Sequence, residues 1–332
     1  MSSPIKRIFP LGFPWETQDP FLFCVYHLDH YPKGNEQMEP AASLEGRNLG
    51  NDFVIKDGWR MYHGLTVPGF PAHPHRGFET ITIVNKGFCD HSDSLGAAGR
   101  FGEGDVQWMT AGRGVQHSEM FPLLQTDKDN PLELFQIWLN LPAQSKFADP
   151  HFKMLWHEDI PVLKEGGASL KLIAGSYQVS EAPDPAPDSW AAKPENRVSI
   201  WNLLLEPNAE FTIPAAAAGV NRTLYYYEGD KVQLLNEEIS TNHGIEPDPE
   251  QPITIKNGEL ASGFLLLEGM PIAEPVAQYG PFVMNTQTEI QQAMDEYRLT
   301  QFGGWPWPHH DNVHDKSKGR FALYPDGNEV KP

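Results

Sequence analysis

The stretch PAHPHRGFETITIVNKG, residues 71–87, sets two histidines at the start of an apolar, threonine-rich run. Because side chains alternate between the two faces of a β-strand, His73 and His75 are expected to share one face. Two interpretations are open at this point. The pair is either two polar residues on a solvated strand face or one half of a metal site.

On both sides of this stretch, short extended segments bounded by Gly, Pro, Asp and Asn fill residues 20–142, and they resume after residue 198. The chain of 332 residues contains 29 glycines and 30 prolines, a composition that favours turns and short strands over long helices. This regular spacing predicts an all-β fold of sandwiches or barrels. A proline-rich stretch around 176–197 is predicted to be a loop or linker, so the domains are placed at 1–145 and 146–332.

A weak internal repeat connects the two halves. At an offset of 146 residues, TVP at 66–68 aligns with TIP at 212–214, and the positions of His73 and His75 are taken by Gly219 and Asn221. If the duplication is real, the second copy has lost its histidines.

The formal net charge is −19 and no basic run is longer than Lys6-Arg7, which argues against direct binding to nucleic acid. The start MSSPIKRIFPLGF lacks the apolar core of a signal peptide, and no apolar run is long enough to cross a membrane. A soluble, cytoplasmic protein is therefore predicted. Two cysteines, Cys24 and Cys89, are too few for a disulfide framework or a thiolate zinc site, and Cys89 is expected in a glycine-rich turn.

The best helix candidate is NTQTEIQQAMDEYRLTQF, residues 285–302, with Asn285 or Thr286 as N-cap and Glu289 as the capping-box acid. The last 28 residues, from 305, are predicted to form an irregular arm. Its HHDNVH motif, residues 309–314, is interpreted as a tail that packs over the barrel with Trp305 and Trp307. The alternative is a second metal site.

A second polar pair lies in GDVQWMTAGRGVQHSEMF, residues 104–121, where His117 and Glu119 also share a strand face. If neighbouring strands bring the two pairs together, three imidazoles and one carboxylate would suit a first-row divalent ion. An octahedral Fe(II) or Mn(II) ion would keep two positions for water, dioxygen or a chelating substrate, and zinc also accepts these ligand types. Glu79 has the same strand parity as His73 and His75. It is a ligand, an acceptor that orients a ligand histidine, or an ordinary strand residue.

Three stretches resemble the pirin family, a group of two-barrel cupins. They are GFPAHPHRGFETI (69–81), GDVQWMTAGRGVQHSEM (104–120) and PVAQYGPFVMNTQTEIQQAMDEY (275–297), and the resemblance extends over about residues 15–300. It implies two antiparallel cupin β-barrels, a short C-terminal helix, and one metal ion in the N-terminal barrel only. The ligands implied are His73, His75, His117 and Glu119. Fe(II) is the expected ion, with Mn, Ni, Cu or Zn as alternatives, and Glu79 is then held beside the metal rather than on it.

The resemblance implies quercetin 2,3-dioxygenase activity, in which a flavonol or similar aromatic is cleaved with O2. Glu119 is the candidate catalytic base, because it is the nearest carboxylate to the expected iron. The alternative is a non-catalytic, iron-dependent regulator or redox sensor that binds a protein partner, and the acidic net charge would suit a basic one. A third hypothesis is a zinc-dependent sugar isomerase.

Overall fold

A computed structural model describes residues 4–235 and 237–332. The strands of its first half are β1 (Ile5–Pro10), β2 (Phe21–Tyr31), β3 (Gly69–His75), β4 (Phe78–Lys86), β5 (Phe88–Asp93), β6 (Ala98–Gly102), β7 (Val106–Thr110), β8 (Val115–Met120), β9 (Asn130–Asn140), β10 (His151–Leu155) and β11 (Val162–Glu165). The later strands are β12 (Ala168–Ala174), β13 (Ser176–Tyr177), β14 (Ser180–Glu181), β15 (Ser199–Leu205), β16 (Glu210–Ile213), β17 (Asn221–Glu228), β18 (Lys231–Leu234), β19 (Glu237–Ser240), β20 (His243–Pro247), β21 (Ile253–Asn257), β22 (Ser262–Gly269), β23 (Ala277–Tyr279), β24 (Phe282–Met284), β25 (Phe321–Leu323) and β26 (Glu329–Val330). Helix α1 spans Gln287–Thr300, and among the described residues no helix is long and apolar enough to cross a membrane. The predicted all-β class is confirmed.

Contacts within the chain define two compact units. The first β-unit contains residues 26–137, 141–157 and 274–332, and the second β-unit contains residues 4–25, 138–140 and 158–273. Strand pairing gives the reason for this grouping, since β1 pairs with β20 in the second unit and β25 pairs with β6 in the first. The domain limits 1–145 and 146–332 stay a prediction. By contacts, the N-terminal residues 4–25 belong to the second β-unit and the C-terminal residues 274–332 belong to the first.

The first β-unit is built from two antiparallel sheets, ordered β10-β7-β4-β9-β2 and β26-β25-β6-β5-β8-β3. Strand β4 lies in the middle of the first sheet, and its run Phe78–Val84 is buried on both faces, which explains why ETITIV is rich in β-branched residues. An apolar core that includes Val84, Phe101 and Leu134 draws on both sheets. The two polar pairs, His73 with His75 and His117 with Glu119, lie on β3 and β8 at one edge of the second sheet.

The second β-unit repeats this plan. A sheet ordered β1-β20-β17-β22-β15-β12-β11 and a sheet ordered β16-β21-β18-β19 contribute to one apolar core, to which Trp201, Phe211 and Leu266 belong. The predicted linker 176–197 contains only the two-residue strands β13 and β14 and two short 3-10 turns. Its loop character is confirmed.

Helix α1 begins as predicted. The structure selects Thr286 rather than Asn285 as the N-cap: the Thr286 hydroxyl accepts a hydrogen bond from the Glu289 amide at 3.2 Å, and the Glu289 carboxylate accepts one from the Thr286 amide at 2.8 Å. Ile290 and Ala293 are buried against the β23–β24 hairpin. This reciprocal capping box satisfies two amide donors that a helix N-terminus otherwise leaves without partners.

The arm from residue 305 is largely irregular, as predicted, but it also contains the short strands β25 and β26. Strand β25 extends the six-stranded sheet of the first β-unit by pairing with β6. The buried ion pair between Asp90 and Arg100 supports this attachment, because Arg100 also donates to the backbone carbonyls of His314 and Asp315. The arm is therefore part of the first β-unit and not a free tail.

Candidate metal centre

The four predicted ligand residues lie on the paired strands β3 and β8. These strands run antiparallel with His73 opposite His117 and His75 opposite Val115, and the register is irregular between Phe70 and His73. Strand β8 also pairs with β5, which places Glu119 opposite His91. The alternation of side chains along both strands directs the two histidine-containing pairs to one face of this sheet.

The structure brings the three predicted histidines together. Ring centroids are 4.7 Å apart for His73 and His75, 4.5 Å for His73 and His117, and 4.8 Å for His75 and His117. One ring nitrogen from each lies within 4.8 Å of the others. Nδ1 of His73 is 2.9 Å from the Pro71 carbonyl, which can only accept, so this nitrogen carries the proton and Nε2 is the atom that could bind a metal ion.

Burial sets the protonation state of these rings. Desolvation lowers the pKa of His73 to about 4 and holds the pKa values of His75 and His117 well below their usual range, and the neighbouring imidazoles lower them further. All three rings are therefore neutral near pH 7, which is the form that binds a metal ion.

His117 provides the test of whether these residues fit a metal ion. Its side chain is fully buried, and neither ring nitrogen has a hydrogen-bond partner among the described residues. A buried polar atom without a partner costs about 1–3 kcal/mol, and coordination of a cation would remove that cost. The donor set of neutral imidazoles with a nearby carboxylate suits a first-row divalent ion.

Glu119 lies beside this trio. One of its oxygens is 3.7 Å from Nε2 of His117. The same carboxylate accepts hydrogen bonds from the Thr82 hydroxyl at 3.0 Å and from the Gln136 amide at 2.5 Å. Burial raises the pKa of Glu119, and these two hydrogen bonds oppose the rise. Its assignment as fourth ligand and as base stays a prediction.

Glu79, the other carboxylate that the sequence placed near the metal, is fully buried on β4 and accepts a hydrogen bond from Thr110 at 2.7 Å. Among the described residues, the cluster of possible ligand atoms contains the three histidines, and neither Glu79 nor Glu119 belongs to it. The role of Glu79 beside the metal stays a prediction.

Sequence reasoning missed the polar residues that surround the trio. His91 on β5 is fully buried, its ring centroid is 5.4 Å from that of His117, and its ring nitrogens lie 3.1 Å from the Gln107 amide and 3.4 Å from Asp93. The expectation that Cys89 lies in a turn is wrong. Residues 88–93 form β5, and Cys89 is buried within it. The alternation of Cys89, His91 and Asp93 along one strand face was the signal that could have revealed this strand.

The histidines of the arm do not form a metal cluster within the described ranges. His314 donates from Nε2 to the His91 carbonyl at 2.8 Å, and the His310 carbonyl accepts from the Ala72 amide at 2.8 Å. Trp307 donates to the Asp93 carbonyl at 2.7 Å. The interpretation of HHDNVH as part of a tail that packs against the barrel is confirmed.

Comparisons with known proteins agree with this architecture. The Pirin family model matches residues 18–139, and the model of the Pirin C-terminal cupin domain matches residues 200–303. A pirin-like protein of Solanum lycopersicum is 37% identical over 274 residues, which cover 80% of this chain and 89% of that protein. A Pseudomonas aeruginosa protein provisionally named a quercetin 2,3-dioxygenase is 37% identical over 236 residues, 70% of this chain and 79% of that protein.

Among solved structures, a quercetin 2,3-dioxygenase from Acinetobacter baumannii superposes with a TM-score of 0.69 at 26% identity, covering 90% of this chain and 96% of that one. The two family models together match more than half of the chain, and each falls on one of its two cupin domains. The chain therefore belongs to the pirin family.

Proposed function

We propose that this protein is an iron-dependent dioxygenase that cleaves a flavonol or a similar enolisable aromatic with O2. The observation that carries the proposal is the convergence of three neutral imidazoles, two buried and His73 half-buried, with a buried carboxylate 3.7 Å from one of them. Relatives named quercetin 2,3-dioxygenase support the choice of reaction. In this proposal His73, His75, His117 and Glu119 hold the ion. Fe(II) is the first choice, and Mn, Ni, Cu or Zn could take its place.

Iron, when bound, would supply the redox chemistry that O2 requires and a Lewis-acidic template for the substrate. The protein supplies the proton transfer. Glu119 is the proposed acceptor of the substrate hydroxyl proton once it loosens from the ion, because it is the only carboxylate among the four proposed ligands. Thr82 and Gln136 hold the two carboxylate oxygens in place, so the base is oriented before substrate arrives.

A regulatory function is the second candidate. The net charge of −19 favours association with a basic protein surface, in which case the iron would act as a sensor rather than a catalyst. This alternative shares the metal site and differs in whether the site turns over a substrate.

The deciding experiment is oxygen consumption by anaerobically iron-loaded protein given quercetin, with metal content measured by mass spectrometry. We expect turnover that follows iron content and is lost in His73→Ala. The matched control is His309→Ala, which removes an exposed histidine of the arm and should leave turnover unchanged. One bound iron per chain without any oxygen consumption would overturn the dioxygenase proposal and favour the sensor.

Glu119→Gln separates the two roles of that residue. If Glu119 is the base, the variant that still contains iron should lose most of its turnover. Undiminished turnover in an iron-loaded variant would rule out the base role.

A further inference from the structure

The second β-unit contains a cavity of about 440 Å³ that no step of the proposed reaction uses. Its floor is formed by side chains of β15, β17 and β22, and its wall includes the irregular segment 214–217 and residues 191–194, 197 and 198. The volume falls in the lower part of the range of small-molecule sites.

A polar row crosses this floor. Glu268 on β22 lies opposite both Ser199 on β15 and Arg222 on β17, so the three residues are cross-strand neighbours. They share strand parity with Trp201, Leu224 and Leu266, which belong to the apolar core of the unit. The row therefore faces the barrel interior, where a charged residue is retained only with a partner.

The buried guanidinium of Arg222 is only partly satisfied by hydrogen bonds. Its side chain is 3% exposed, and Nε donates to Glu268 at 2.5 Å. Nη1 of the same guanidinium is buried and has no hydrogen-bond partner within residues 4–235 and 237–332. Leaving such a donor unsatisfied is costly, and more so for a charged group.

Trp201 contributes a second donor of the same kind. The residue is 4% exposed and lines the cavity, and its indole Nε1 is buried without an acceptor in the described part of the chain. Trp190 in the same unit shows the usual arrangement, because its Nε1 donates to the Met270 carbonyl at 2.8 Å. Because two buried donors belong to residues that line one cavity, a ligand with acceptor oxygens would satisfy both.

The charges at the mouth do not decide the ligand, because exposed Lys193 and Arg197 are balanced by exposed Glu181 and Asp184. Selectivity has to come from the buried donors. A carboxylate offers two acceptor oxygens to a guanidinium and forms charge-assisted hydrogen bonds about twice as strong as neutral ones. The alanine and proline side chains at 214–217 offer an apolar surface to the remainder of the ligand.

We propose that the second β-unit binds a small organic carboxylate, whose oxygens accept from Nη1 of Arg222 and Nε1 of Trp201 while its apolar part lies against residues 214–217. The site is separate from the three histidines and does not depend on the proposed dioxygenase reaction.

The test is calorimetric titration of the full-length, iron-loaded protein with benzoate, and with benzamide and inorganic phosphate as comparison probes. We expect saturable benzoate binding that is at least tenfold tighter than that of either comparison probe. Absence of benzoate binding would overturn the proposal. Equal binding of benzamide would overturn the carboxylate assignment, and equal binding of phosphate would overturn the role of the apolar wall.

Two sets of variants locate the site. Arg222→Gln combined with Glu268→Gln removes both charges together, so neither is left buried alone, and should weaken benzoate binding at least tenfold. Trp201→Phe should weaken it about fivefold through loss of one hydrogen bond, whereas Trp190→Phe should leave it unchanged. Benzoate binding that is unaffected in both cavity variants would contradict the proposal.

A measurement on the wild-type protein does not depend on whether the variants fold. In a ¹⁵N-labelled sample, the indole N–H resonance of Trp201 should move on addition of benzoate, while that of Trp190 stays in place. A titration in which the Trp201 resonance does not move would overturn the proposal regardless of how the variants fold.

Discussion

At the scale of single residues, the hydroxyl of Thr82 determines where Glu119 can point. Thr82→Val removes the hydrogen bond to Glu119 at nearly constant volume, so the carboxylate loses one of the two groups that orient it. If Glu119 is the fourth ligand, as proposed, loss of such an outer contact should weaken metal binding about ten- to a hundredfold. We expect iron affinity, measured anaerobically by competition with a colorimetric chelator, to fall by about tenfold or more.

Thr80 supplies the matched control, two residues away on the same strand face. Its hydroxyl is buried and has no hydrogen-bond partner among the residues that the structure describes, so Thr80→Val makes the same chemical change without breaking a contact to Glu119. Iron affinity should stay at the wild-type value. An equal loss in both variants would show that the effect comes from packing in β4 and not from Glu119.

Residue types and strand alternation were enough to predict that His73, His75 and His117 share one site, because both polar pairs are local in sequence. Their role as metal ligands stays a prediction. Thr82, His91 and Gln136 were not identifiable in this way. They reach the site from β4, β5 and β9, and their proximity to β8 depends on sheet order and register, which one sequence does not specify.

At the scale of secondary-structure elements, features that depend on residues close together in sequence were also predictable. The capping box at Thr286 and Glu289 involves residues three apart, and the structure confirms it. Strand β25 was missed because Phe321–Leu323 is too short to show alternation, and it becomes a strand only through its pairing with β6.

The arm, residues 305–332, shows how firmly a pairing between residues far apart in sequence holds. Trp307 donates to Asp93 on β5, whereas Trp305 donates to His309 within the arm itself. Trp307→Phe should therefore weaken the attachment of the arm by about 1 kcal/mol, the usual worth of one hydrogen bond. We expect trypsin cleavage at Lys316, Lys318 and Arg320 to become about fivefold faster if cleavage follows local opening.

Trp305→Phe is the control for loss of indole contacts in general, and its cleavage rate should stay near that of the wild type. If the two variants are cleaved equally fast, the bond from Trp307 to the barrel does not hold the arm in place.

At the scale of the whole molecule, stability in acid should depend on His27. This residue is 3% exposed, and its Nδ1 lies 2.8 Å from the Tyr62 hydroxyl. Desolvation, with a smaller contribution from Arg60, lowers the pKa of His27 from 6.5 to about 3 in the folded protein. The unfolded chain therefore binds a proton between these two pH values that the folded chain does not.

The direction of the effect follows from this difference. The stability that neutral His27 contributes is fully present above pH 6.5 and is lost as pH falls towards 3, by at most about 1.4 kcal/mol per pH unit. His27→Gln cannot titrate, so its free energy of unfolding, measured by urea denaturation, should fall less steeply than that of the wild type between pH 6.5 and pH 4. His309→Gln replaces an exposed histidine and should keep the wild-type slope. Parallel slopes for the wild type and His27→Gln would mean that other groups cause the loss of stability in acid.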